Sequence, residues 1–224
     1  MQRRELRRRN APPVTSAAQP GYDALAELYD ETFPTAYGSA WERHAVAAFA
    51  DEVHALGTGG TVLDVGCGTG HVTADLAGFG LTVIGIDPSR EMVRIARGHH
   101  PDLRFVVDDA HLNSAELTDV TITAILARFS LIHVPPDEVS VILREWATRM
   151  APGSMISVAT QSTDNDDVAE FDHVVARAWR WPADRLSEAL ADAGFDEVWR
   201  IVSRPDDQHR FPAVVVTARR AHWG

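Results

Sequence analysis

The sequence predicts an α/β fold, with one seven-stranded, mostly parallel sheet, helices on both faces and an antiparallel last strand. Three observations predict it. From Thr61 onward, short apolar runs alternate with amphipathic segments over short connections, the pattern of parallel strands joined by crossover helices. The first of these runs leads straight into a glycine-rich turn that opens a helix. The chain has 224 residues, 45% of them hydrophobic, enough for one such domain, one sizeable core and a modest N-terminal addition.

The elements follow in order. Tyr22 to Phe33 reads as a helix with Tyr22, Leu25 and Tyr29 on one face, ended by Pro34. Trp41 to Leu56 is a second helix, stopped by the glycines between 57 and 60. Strands are predicted at Thr61–Val65, Leu81–Ile86, Leu103–Val107, Val120–Ala127 and Ser154–Ala159. Between them, His71–Phe79 is a helix, and Ser89 caps another that carries Met92, Ile95 and Ala96 on one face. Pro135-Pro136 opens the clearest helix, with Val139, Ile142, Leu143, Trp146 and Met150 at helical spacing and Asp137 and Glu138 in its first turn. Ala151-Pro152-Gly153 stops it. The stretch Gln161–Arg180 is less regular and reads as an insertion, Pro182–Ala193 is a helix closed by Gly194, and Val198–Val202 with Ala213–Ala218 form a final antiparallel pair.

Composition narrows the function. The formal net charge is −11, yet five of the 21 basic residues, all arginines, fall within the first ten positions. A body this acidic repels phosphate backbones, so nucleic acid is not expected as a partner. No run approaches the roughly 18 apolar residues of a membrane span. Residues 1–20 read as a disordered basic and proline-rich tail, because no apolar stretch follows the arginines as a signal peptide requires. Cys67 is the single cysteine, which excludes an internal disulfide and fits a reducing, cytoplasmic setting. The histidines do not fall at metal-ligand spacing, so no metal is expected.

The chemistry lies in Val62-Leu63-Asp64-Val65-Gly66-Cys67-Gly68-Thr69-Gly70. Glycines at alternate positions let the backbone turn sharply and approach a ligand, and the helix that follows offers free N–H groups. Asp87 ends the next strand, where a carboxylate can accept hydrogen bonds from ribose hydroxyls. The dinucleotide pattern G-x-G-x-x-G fails, because His71 stands at its sixth position. Asp64 suits an ammonium group better than a pyrophosphate, which argues against a nicotinamide oxidoreductase.

On these residues the chain resembles the class I S-adenosylmethionine-dependent methyltransferases, a Rossmann-like family. Asp64 to Gly70 is similar to their first motif, Asp87 to the ribose acid, Asp109-Ala110 to the pair beside adenine, and Ala151-Pro152-Gly153 to the turn before the fifth strand. The resemblance spans residues 22–219. It implies S-adenosyl-L-methionine as cofactor, S-adenosyl-L-homocysteine as product, and a small molecule as methyl acceptor in a monomer or homodimer. It also implies a single domain over residues 21–224, with lid helices at 21–57 and an acceptor-side insertion at 161–181. The expected cofactor-binding residues are Tyr29, Asp64, Gly66, Cys67, Gly68, Gly70, Asp87, Pro88, Met92, Asp109, Ala110 and Arg128. Cys67 reads as a packed side chain within the loop rather than a nucleophile. Arg128 can hold an anion or pair with a surface acid. The family often carries an acid near the start of the fourth strand; here Thr121-Ile122-Thr123-Ala124 fills that region.

On the acceptor side, His133 is the candidate general base because imidazole titrates near neutral pH; the alternative is packing at the Pro135-Pro136 helix start. Tyr22, His173, Arg180 and Trp181 are the candidate acceptor contacts, and aromatics with an arginine suit a planar or anionic molecule. The same fold hosts cyclases or rearrangement enzymes that bind the cofactor without net methyl transfer, which is the second reading. A non-catalytic scaffold has no sequence feature in its favour.

Overall fold

The structure, a computed structural model, describes residues 21–207 and 209–222. The basic tail, positions 1–20, lies outside the described residues. Helices α1 (Gly21–Thr32) and α2 (Ala40–Ala55) precede strand β1 (Thr61–Val65), followed by α3 (His71–Gly78), β2 (Thr82–Asp87), α4 (Arg90–His99), β3 (Arg104–Val107), β4 (Ile122–Arg128), α5 (Pro136–Arg149) and β5 (Met150–Gln161). Strands β6 (Ala169–Phe171) and β7 (Ala178–Arg180), helix α6 (Ala183–Asp192), and strands β8 (Phe195–Val202) and β9 (Ala213–Arg220) complete the chain.

The main sheet has seven strands in the order β3-β2-β1-β4-β5-β9-β8. Strands β3 to β5 run parallel, and β9 is antiparallel to both β5 and β8. The order reverses between β1 and β4, and at such a switch point a crevice opens outside the carboxyl ends of the strands. Side-chain alternation along the strands fills both faces. On one face Leu63, Val65, Ile125 and Ala127 meet Ile142, Leu143 and Trp146 of α5; on the other Val62, Ala124 and Leu126 meet Val46, Phe49 and Val53 of α2. Burying each large apolar side chain contributes about 1.5–3 kcal/mol, so these two layers fix the sheet that carries the site.

Beyond shifts of a few residues at element ends, two features differ from the sequence reading. Met150 satisfies the helical spacing of α5 but opens β5, because its backbone pairs with Ile122 just before the register shift in β4. The insertion is more regular than expected: β6 and β7 form an antiparallel hairpin outside the main sheet. Among the described residues, no helix is long and apolar enough to cross a membrane.

Candidate active site

The glycine turn is pinned to β2, since Gly66 N and Cys67 N both donate to the Ile86 carbonyl at 2.7 and 3.0 Å. Gly66 has φ +77°, and a Cβ there would lie 2.1 Å from Ser130 Cβ. Gly68 has φ +55°, but a Cβ there would meet only Tyr29 Cε1, at 3.9 Å. The first glycine therefore lets two segments touch, and the second leaves open space beneath the lid. Gly70 is the N-cap of α3 and has no side chain to occupy the first-turn N–H groups.

Two buried carboxylates, one before the glycine turn and one bonded to it, belong to this region. Asp64 accepts from Thr73 Oγ1 at 2.6 Å. Asp87 accepts from Gly68 N and Ser89 N, each at 2.9 Å, one N–H per oxygen, so each oxygen keeps a lone pair for a ligand. Burial raises both carboxyls to about 6; the Thr73 hydroxyl and Arg128 partly offset this at Asp64, and the Ser89 and Gly68 N–H groups do so at Asp87. Cys67 packs with Val93, Ala96 and Phe105, and burial pushes its thiol up, as befits an inert packed group.

Helix α1 closes over the loop. Tyr22, Ala26 and Tyr29 pack against Met92 and Ile95 of α4, which places Met92 under the lid. Beside that apolar stripe runs a polar one: Asp23 accepts from Ser89 Oγ at 2.6 Å, Glu27 pairs with Arg94, and Asp30 lies 2.9 Å from His99 Nε2. Exposed ion pairs contribute about 0.2–1 kcal/mol, so the apolar stripe holds the lid and the acids set its register. Their spacing at 23, 27 and 30 is a helix-face signal that the sequence reading passed over.

The other end of the lid meets His133, the candidate base. Tyr22 Oη lies 2.8 Å from His133 Nε2, and His133 Nδ1 lies 2.8 Å from the Arg177 carbonyl. A carbonyl only accepts, so Nδ1 carries the proton and Nε2 accepts from the Tyr22 hydroxyl. Burial lowers the His133 pKa and keeps the ring neutral, opposed by the Arg177 bond. His173 stacks edge-on to His133 with centroids 4.8 Å apart, and burial, the largest cause, pulls it down to about 4. Phe171 joins His173 at 5.8 Å and Phe211 at 5.2 Å. The Arg180 guanidinium stands 4.2 Å from the Phe211 centroid.

The remaining expected residues separate. Pro88 is exposed beside Asp87. Asp109 is exposed after β3 and its carboxylate caps His111 N at 2.9 Å, while the Ala110 carbonyl accepts from Trp146 Nε1 at 2.7 Å. Arg128 pairs with buried Glu42 at 3.3 Å and lies 5.1 Å from the Tyr37 centroid. Its acid partner is thus an interior one. Trp181, expected on the acceptor side, packs in the main core instead. Alternation at the end of β7 accounts for this, since Trp179 and Trp181 are buried while Arg180 between them faces the other way. Thr123 lies at the amino end of β4, remote from the strands' carboxyl ends, and its hydroxyl donates to the Gly59 carbonyl at 3.4 Å.

The methyltransferase-domain family profile matches residues 62–153, from inside β1, through the glycine turn, to the start of β5. The stretch that carries the glycine turn and Asp87 is thus similar to a methyltransferase domain. An uncharacterized methyltransferase of Bacillus cereus is 34% identical over 139 residues, covering 62% of this chain and 58% of that relative. Several further Bacillus relatives are matched over 46% of their length, so the chain spans about half of the curated relatives it matches. Among solved structures, the 1,6-didemethyltoxoflavin-N1-methyltransferase of Burkholderia thailandensis, with bound 1,6-didemethyltoxoflavin and S-adenosylhomocysteine, aligns with TM-score 0.64 at 22% identity over 95% of each chain. The cyclase SpnF aligns with TM-score 0.68 at 18% identity over 92% of this chain and 98% of that one. At these identities the likeness is one of fold.

At this site, sequence reasoning missed Glu42, Tyr37 and Ser130. Glu42 had a readable signal: Ser39 and Glu42 have the spacing of a capping box, and Ser39 Oγ does accept from Glu42 N at 3.4 Å. Ser130 had none. Its hydroxyl donates to the Val65 carbonyl at 2.7 Å across 65 residues, a contact that exists only once β1 and β4 are neighbours.

Proposed function

We propose that this chain binds S-adenosylmethionine over Gly68 and transfers its methyl group to a nucleophilic atom of a small molecule. The observation that carries the reading is the open space at Gly68, whose N–H donates to the buried Asp87 and which Tyr29 approaches to 3.9 Å. Asp87 can bind ribose hydroxyls through its two free lone pairs, and Asp64 can face the ammonium group of the methionyl end. Asp109 and Ala110 offer an edge to adenine after β3. When bound, the cofactor supplies a methyl group already made electrophilic by its sulfonium.

The protein's part is alignment, water exclusion and proton removal. Helix α1 supplies the roof with Tyr29 and reaches the acceptor with Tyr22. As the acceptor forms its bond to carbon, the proton it gives up passes to Tyr22 Oη while Tyr22 hands its own to His133 Nε2. His133 is placed to receive it, because its Nδ1–H is tied to the Arg177 carbonyl and the lone pair of Nε2 therefore faces the Tyr22 hydroxyl. Such proton transfer contributes roughly 10²–10⁴ in rate, and alignment can contribute about 7–11 kcal/mol in ideal cases. Small-molecule acceptors are favoured by the acidic net charge and by the neighbour that holds 1,6-didemethyltoxoflavin.

Calorimetry with S-adenosylhomocysteine on the parent and on Asp87→Ala, followed by transfer of labelled methyl to an acceptor library, tests the reading. Micromolar binding that Asp87→Ala weakens, with labelled product, supports it. Failure of the parent to bind removes it, and product formed with the cofactor left intact would move the chain to the cyclase reading.

A further inference from the structure

We propose that Arg180 anchors a carboxylate of the methyl acceptor, which makes the acceptor class an aromatic acid. The inference deepens the function proposed above and rests on it for the transfer step, but its binding test does not.

Arg180 closes β7 and is half-buried. Its Nε is buried and has no hydrogen-bond partner among the described residues. Nor does its guanidinium form an ion pair or any other hydrogen bond there, in a chain with 32 acidic residues. The nearby acids are engaged elsewhere: Asp172 pairs with Arg210 at 2.8 Å and Glu170 with Arg177 at 2.8 Å. What Arg180 does contact is aromatic, with Phe211 at 4.2 Å and Phe171 at 6.0 Å from its guanidinium carbon. Through Phe171 and His173 that patch continues to His133 and so to Tyr22.

A half-buried cation without an acid partner is costly, and a bound anion relieves the cost. The flat fork of a guanidinium matches a carboxylate through two parallel N–H···O bonds. The rings beside it favour a planar body between the carboxylate and the reacting atom. A monoanion suits this place better than a phosphate dianion, because the protein as a whole is strongly negative.

The test uses the full chain saturated with S-adenosylhomocysteine and a probe set of hydroxybenzoates, hydroxycinnamates and indole carboxylates. Each acid is paired with its carboxamide, and binding is read by saturation-transfer NMR and calorimetry. The expected result is that at least one acid binds tenfold or more tightly than its amide. Arg180→Gln should abolish that preference, Arg180→Lys should retain part of it, and neither should alter melting temperature or S-adenosylhomocysteine affinity. Equal binding of acids and amides, no binding by any acid, or a preference that survives in Arg180→Gln overturns the proposal. A parent that prefers acids but does not bind S-adenosylhomocysteine keeps the anchor and removes the methyltransfer reading. Binding of S-adenosylhomocysteine without an acid preference does the reverse.

Discussion

The two ends of the crevice are built differently. At the glycine turn the partners are close in sequence and much of the work is done by backbone: Gly68 N reaches Asp87 across 19 residues, and Thr73 reaches Asp64 across nine. At the other end, around His133, the partners come from distant segments. Tyr22 meets His133 across 111 residues, and His133 meets the Arg177 carbonyl across 44. Helix α1 is the wall the two ends share, with Tyr29 over the turn and Tyr22 at the histidine. A site made of main chain tolerates few substitutions, whereas one made of side chains on a lid, a loop and a hairpin can be re-specified without disturbing its neighbour.

That contrast predicts distinct failures at the two ends. The largest effect is expected at Gly66, where alanine would combine an unfavourable φ with overlap on Ser130. We expect a loss of at least about 3 kcal/mol in stability, read by thermal melting, with S-adenosylhomocysteine binding lost alongside it. Gly68→Val should lose less stability than Gly66→Ala, since it carries the strain of φ +55° without any overlap, and should fail to bind because its side chain enters the open space. If both variants melt alike, the two glycines do not have the separate roles assigned to them.

Next comes His133→Ala, expected to lower kcat by about 10²–10⁴ and to leave S-adenosylhomocysteine affinity within about twofold of the parent. Tyr22→Phe should also slow turnover while keeping the lid packed. A fall in affinity rather than rate at His133 would place this residue at the cofactor end. Asp87→Ala should show the opposite profile, with binding weakened by about 1–3 kcal/mol, the usual cost of losing hydrogen bonds to a charged group.

The smallest effect concerns pH. Asp64 and Asp87 sit at about 6 in the folded protein, against about 3.9 for a free aspartate. The folded state thus binds more protons than the unfolded state between these values, and through these two groups the ligand-free protein loses stability as the pH rises from about 4 past 6. Ligand binding uses the ionised forms, so affinity for S-adenosylhomocysteine should fall as the pH drops through 6, by up to about tenfold per unit for one group. Calorimetry between pH 7 and 5 checks the sign, and Asp87→Asn should flatten the dependence.

The glycine turn, Asp64 and Asp87 were legible in the sequence because strand, turn and helix are specified by residues a few positions apart. The lid helix was legible as an apolar face, although the acids at 23, 27 and 30 that set its register were not noticed. His133 was found by its position after β4, but its tautomer depends on the Arg177 carbonyl, which no local pattern reveals. Trp181 was misplaced because an aromatic cluster read linearly does not say which face of a short strand each residue occupies.

Periodicity, turn chemistry and motif spacing alone determined the succession of strands and helices in the main sheet and the glycine turn that leads from its first strand into a helix. Packing decided the rest: Ser130 beneath Gly66, Glu42 with Arg128, Tyr22 on His133, and Arg180 against Phe211. The physical reason is one of range. Backbone conformation responds to neighbours along the chain, whereas the charge state, partner and reach of a side chain depend on which distant segments exclude water around it.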